Sequence, residues 1–128
     1  MGKNKKPSRL LTEVELELMN VVWKLGRCSV REVLDLLPKE RDLAYTSVAT
    51  VMKILEEKGV LKSEKKEKSH TYLALVARED YETKALQHVT EKVFAGNPSS
   101  LVMRLLDEAK LSREELQEIR RTLEEKLK

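Results

Sequence analysis

Three times the chain spells the same helix-opening signal: Thr12-Glu-Val-Glu15, Ser29-Val-Arg-Glu32 and Ser112-Arg-Glu-Glu115. In each, a hydroxyl at the N-cap can accept from the third helical N–H, while the carboxylate of that third residue reaches back to the N–H of the cap. The signal fixes where a helix begins and which residues share a face. Three such starts commit the chain to a mainly helical fold before any other feature is weighed.

Behind Thr12, the residues Val14, Leu18, Val21, Val22 and Leu25 recur at helical spacing, with Trp23 in the run and Gly26 as the stop. Behind Ser29, the run Val30, Val33, Leu34, Leu37 ends at Pro38. A third helix, about Tyr45 to Lys58, lacks the box and has another peculiarity. In a chain that is 37% charged, Leu43 to Met52 carries no charge. Val48, Val51, Met52 and Leu55 give this helix an apolar side, yet the opposite side near its start is Thr46, Ser47, Ala49 and Thr50. Thr and Ser are middling helix formers, and a face shaped only by stability would carry Glu, Lys and Gln.

After Gly59 the period changes. Val60 and Leu61 lead to a charged tip, Glu64 to Lys68, and Thr71 to Val76 is rich in β-formers, so two short strands around a basic turn are expected. Helices return from Glu79. Tyr81, Ala85, Val89 and Val93 recur every four residues, with Phe94 at the end, and Gly96-Asn97-Pro98 breaks the run. A helix from about Ser99 to Ala109 carries Leu101, Leu105 and Leu106. The last helix carries Leu116, Ile119, Leu123 and Leu127, a narrow seam suited to one partner helix.

The expected fold is therefore mostly α with a small β-hairpin (α+β). A basic N-terminal arm spans 1–9, a winged helix-turn-helix domain 10–76, and a helical domain 77–128. In the winged order the third helix lies in the major groove and the hairpin reaches phosphates. That assigns the small face a purpose: it lets the backbone approach base edges, with hydroxyls for bonding and methyls for thymine. The expected DNA-binding residues are Tyr45, Thr46, Ser47, Ala49, Thr50 and Lys53 on the helix and Lys65, Lys66 and Lys68 on the wing. Charge agrees in direction. Residues 1–76 hold 15 basic and 11 acidic groups, and 77–128 hold 10 and 11, which together give the net +3. The arm MGKNKKPSR alone holds four basic groups and no acid.

Other chemistries find little support. There is no Gly-rich phosphate loop and no recognisable catalytic Ser/His/Asp or Cys/His set, so an enzyme is not expected. The single Cys28, with His70 and His88 far off in sequence, makes no metal pattern, and no cofactor is expected. A lone thiol suits a reducing compartment, and no apolar run approaches the roughly 18 residues of a membrane span, so a soluble cytoplasmic protein is expected. Cys28 itself is expected to be a small, semi-buried residue.

The chain resembles the BlaI/MecI/CopY group of bacterial winged-helix repressors, most closely the penicillinase-repressor (BlaI/MecI) branch, over about residues 10–126. The likeness is carried by LTEVELELMNVVWKLG, LAYTSVATVMKILEEKGVL, the hairpin end TYLALV, the connector VFAGNPSSLV and the last helix LSREELQEIRRTLEE. The resemblance implies a homodimer bound to palindromic promoter operators in double-stranded DNA. Its dimer-forming residues here would be Tyr81, Val89, Val93, Leu101, Leu105, Leu116, Ile119, Leu123 and Leu127. It also implies a membrane sensor-protease that cuts the dimerisation region a short way beyond a Ser-Leu-Val sequence. Ser100-Leu101-Val102 match, and the corresponding bond is Arg104–Leu105, where family members that are cut have Asn-Phe. The paired cysteines of the copper-responsive branch are absent from the tail. Two other readings stay open at this point: a winged-helix protein-interaction adaptor, and a repressor released by a small ligand. Five aromatics furnish a large apolar pocket poorly.

Overall fold

The computed structural model describes residues 10–128; the basic arm at 1–9 lies outside the described residues. The elements in order are α1 (Glu13–Leu25), α2 (Val30–Leu36), a 3₁₀ turn (Lys39–Arg41), α3 (Tyr45–Glu57), β1 (Leu61–Lys66), β2 (Ser69–Ala74), α4 (Arg78–Lys92), α5 (Pro98–Glu108) and α6 (Arg113–Leu127). All three capping boxes form. Thr12 N–H donates to Glu15 at 2.9 Å, Ser29 N–H to Glu32 at 2.8 Å, and Ser112 N–H to Glu115 at 2.8 Å, each with its reciprocal bond. Asn97 caps α5 with its side-chain oxygen, ahead of Pro98 at the first helical position.

The chain divides into two compact units, at Ala85/Leu86. In the first, α1, α2 and α3 close on one core whose centre is Leu18, Met19, Val22, Val33, Val48, Met52 and Leu55, all with no exposed surface. Each such side chain contributes about 1.5–3 kcal/mol of burial free energy. Gly59, at φ +82°, lets the chain leave α3 and enter β1 through a left-handed conformation that a side chain would strain. β1 and β2 pair antiparallel, from Leu61 opposite Ala74 to Lys66 opposite Ser69. The strands therefore run into the charged segment, and only Glu67 and Lys68 remain as the turn, Glu67 in the left-handed region at φ 52°.

Two features of this unit differ from the sequence reading. Cys28 is fully buried, and it forms an isolated bridge with Tyr72, exchanging backbone bonds of 2.9 and 2.7 Å. The link between α1 and α2 thus adds a third, one-residue rung to the hairpin. Burial, and then the charge of Glu32, push the Cys28 thiol up to about 11, which leaves it protonated and unreactive at neutral pH. Tyr81, expected at a dimer interface, instead belongs to the first unit. It is only 9% exposed, its hydroxyl accepts from Leu11 N–H at 3.0 Å, and its ring lies 5.9 Å from that of Trp23. Trp23 in turn donates to the Val76 carbonyl at 2.9 Å, with the Arg78 guanidinium 4.9 Å from the centroid of its ring. These contacts hold the start of α4 on the winged-helix core, and this is why the division falls after Ala85 rather than after residue 76.

In the second unit, which holds the end of α4 with α5 and α6, no residue is buried. Leu101, Leu106, Ala109, Leu111 and Ile119 are half-covered. Among the described residues no helix is long and apolar enough to cross a membrane.

Candidate nucleic-acid interface

The site grows from the two-sidedness of α3. Its inward side, Val48, Met52 and Leu55, is locked into the core, with Val51 half-buried beside it. That fixes the opposite side outward: Tyr45, Thr46, Ser47, Thr50, Lys53 and Ile54 are all exposed. Ala49 differs from the expectation. It is half-buried and packs against the core at the edge of the outward side, so less of it is open to a partner than of Thr46, Ser47 and Thr50. Thr50 donates its hydroxyl proton to the Thr46 carbonyl at 2.9 Å. Its lone pairs and its methyl are what remain for a partner outside. The N-cap Ala44 gives α3 no side-chain cap, unlike Thr12, Ser29, Asn97 and Ser112 on the other capped helices. The first-turn N–H groups of α3 are thus left to solvent or to an anion.

The hairpin is anchored beside this face. Ser63 donates to Glu56 of α3 at 2.6 Å, and Arg27 pairs with Glu64. Side chains alternate across a strand. Lys65 therefore shares the Ser63 face, on the side of α3, and its cross-strand partner is His70, whose ring lies 4.9 Å from that of Tyr72. Lys66 is on the opposite face, where it lines a shallow hollow with Arg27, Glu64, Ser69 and Thr71. Lys68 is exposed in the turn. The three wing lysines thus point in different directions, a distinction the sequence alone obscures.

Ion pairing sorts the cations further. Arg27, Arg41 and Lys58 are engaged by Glu64, Glu17 and Glu15. Among the described residues Arg31, Lys53, Lys62, Lys65, Lys66 and Lys68 make no ion pair, and each is exposed. Hydrogen bonding from the Arg41 guanidinium holds the Glu17 carboxyl below its usual range despite some desolvation. Among the described residues no three His, Cys, Asp or Glu side chains gather as a metal would need.

The second unit carries the other expected set. Val89, Leu101 and Ile119 are half-buried, while Val93, Leu105, Leu116, Leu123 and Leu127 are exposed, Leu127 to 84%. Leu86, Val102 and Met103, which the seam pattern missed, are exposed too. The Arg104–Leu105 bond lies inside α5, with Arg104 in a loose i,i+4 pair with Glu108.

Residues 11–125 match the penicillinase repressor family. The methicillin resistance regulatory protein MecI of Mammaliicoccus sciuri is 28% identical over 116 residues, covering 91% of this chain and 94% of that protein. The penicillinase repressor of Bacillus licheniformis is 28% identical over 115 residues, covering 90% of each. Among solved structures, the CopR repressor is 29% identical over 53% of this chain and 99% of its own, with a TM-score of 0.46. The relatives are named as regulators, not enzymes, and the match runs through both units: the chain belongs to the penicillinase repressor family of transcriptional repressors.

Proposed function

We propose that the protein represses transcription as a homodimer, each copy placing α3 in the major groove of one operator half-site and its wing along the neighbouring backbone. One observation carries this reading. The outward side of α3 is hydroxyl-rich and uncharged in its first two turns, and beside it stands a hairpin with unpaired lysines. Small residues let a helix approach base edges, and flanking cations meet phosphates.

The second unit is the dimerisation unit. Its exposed leucines on α5 and α6 are the surface that a second copy would cover, and a dimer would set two recognition helices about one turn of duplex apart, ~34–36 Å, or a multiple of it. Such a protein favours two-fold symmetric operators. The names of the relatives, a methicillin resistance regulator and a penicillinase repressor, support control of an antibiotic response. Derepression follows from cleavage in the dimerisation unit by a membrane sensor-protease, at Arg104–Leu105, with local unwinding of α5 before the bond can enter an active site.

Footprinting of the purified protein on the promoter of its own gene and the adjacent operon, at two salt concentrations, tests the reading. A protected two-fold symmetric site that weakens with salt is expected. A folded, dimeric protein that protects nothing at either salt is an interaction module instead.

A further inference from the structure

We infer that Arg31, on α2, is a phosphate-binding residue of the DNA interface, held in place by the ring of Tyr45 at the start of α3. The inference rests on α3 being the helix that enters the groove, and it adds a contact from a helix that the sequence reading left out of the interface.

The guanidinium carbon of Arg31 lies 5.1 Å from the centroid of the Tyr45 ring. Both side chains are open to solvent, Tyr45 to 45%. Arg31 makes no ion pair among the described residues, although acids stand close to it in sequence. Glu32 is committed to the Ser29 capping box at 2.8 Å. Asp35, one turn along α2, stays beyond ion-pair distance. Among the described residues no carboxylate engages this cation, which leaves it open to an anion from outside the chain.

The Arg31 guanidinium lies over the ring face, and none of its N–H groups is hydrogen-bonded among the described residues, so they stay free for an outside acceptor. Their edge matches two oxygens of a phosphate, and the ring holds that edge in one orientation before the phosphate arrives. In a helix-turn-helix pair the leading helix crosses the backbone while the following one lies in the groove. Arg31 sits in the first turn of the leading helix and Tyr45 in the first turn of the following one. The stack joins the two starts, so the cation stands where a backbone flanking the groove-bound helix passes. A contact of this kind positions the protein and reads no sequence.

The test uses the full chain and two probes: the footprinted operator, and a random-sequence duplex of about 30 base pairs, long enough for two half-sites a turn apart. Binding is measured across a series of salt concentrations. Arg31→Ala is expected to weaken both duplexes roughly tenfold and to shrink the log–log salt slope by about one per half-site. Arg31→Lys keeps the charge but not the fork or the stack, so its slope stays near wild type while affinity falls by less. Tyr45→Ala weakens binding as well, and in the double variant with Arg31→Ala the two losses do not add, because the ring acts through the arginine. Both side chains are exposed, and circular dichroism checks that the fold is kept. An Arg31→Ala protein that binds with the wild-type slope overturns the inference, even if its affinity falls, since no phosphate contact has been lost. A wild type with no salt-dependent duplex binding removes the groove-binding reading itself, and that outcome is distinct from the first.

Discussion

The two units of this chain are built from the same kinds of residue and reach opposite ends of self-sufficiency. From residue 10 to Ala85, three helices and a hairpin close on a core in which Leu18, Met19, Val22, Met52 and Leu55 lose all contact with water. From Leu86 to Lys128, three helical segments leave no residue buried, and Leu116, Leu123 and Leu127 stay 46%, 50% and 84% exposed. The cause lies in the apolar stripes. The helices of the first unit have apolar faces wide enough to meet two neighbours, so they can enclose one another. α6 has a seam of Leu116, Ile119, Leu123 and Leu127 only one residue wide, which can satisfy one neighbour and closes nothing by itself. The first unit closes a core of its own, and the second leaves its leucines uncovered.

The exposed seam of α6 is where the difference between the units can be probed most strongly. Leu123→Asp puts a charge where a second copy should pack. Sedimentation should find the dimer gone, and operator affinity should fall by about 10²–10⁴ because two linked half-sites become independent. The circular dichroism of the first unit should not change. An unchanged dimer would move the interface away from α6 and leave the exposed leucines without a role.

Methionines offer a matched pair for the next effect. Met52 has no exposed surface and Met103 is 59% exposed. Met52→Ala should cost about 3 kcal/mol in urea unfolding, for lost transfer energy and a cavity in a closed core. Met103→Ala, in the same assay at concentrations where the chain is monomeric, should cost under about 0.5 kcal/mol. If both variants lose alike, the second unit has a core of its own.

Within the first unit, Thr50→Glu tests the outward side of α3. The substitution leaves the inward side untouched, so unfolding should change little. Operator binding should fall roughly a hundredfold, because a carboxylate would face the phosphates of the groove. A normal footprint would mean that another surface reads the DNA.

The sequence carried the parts of this design that repeat at short range. Thr12, Ser29 and Ser112 announced their helices because a capping box is local, and the period of Val48, Met52 and Leu55 announced which side of α3 faces in. What it hid was long-range and singular. The Cys28–Tyr72 rung is one residue long and has no period to detect. Tyr81 continues the four-residue spacing of Ala85, Val89 and Val93, so the pattern grouped it with them, while Trp23 and Leu11 claim it for the other unit. Ala49 is small like its outward neighbours, and only packing shows that part of it is covered by the core. The stack of Arg31 on Tyr45 joins two helices and leaves no trace in the spacing of either.

The smallest expected effect concerns how the first unit is fastened, and it turns on Glu15. This carboxylate has two duties. It completes the Thr12 capping box of α1, and it accepts from the Lys58 ammonium, just past the end of α3, at 2.6 Å. Burial pushes the Glu15 carboxyl up, but the bond to Lys58 and the one from the Thr12 N–H together outweigh it and hold the group below its ordinary value. A carboxylate that ionises more readily folded than unfolded adds stability above the unfolded value, and that contribution is lost as pH falls through the folded one. Unfolding free energy should thus be level from neutrality down to about pH 4.5 and then decline, with Glu17, held low by Arg41, adding to the same limb. Lys58→Met should flatten that limb. With the ammonium gone, burial is opposed only by the cap, and the gap between folded and unfolded values narrows. Urea midpoints at neutral pH and near pH 3.5, on wild type and variant, measure the difference. An acid limb of unchanged steepness would mean that the cap alone holds Glu15 down, and that the link from α1 to α3 is made by the apolar core without help from this ion pair.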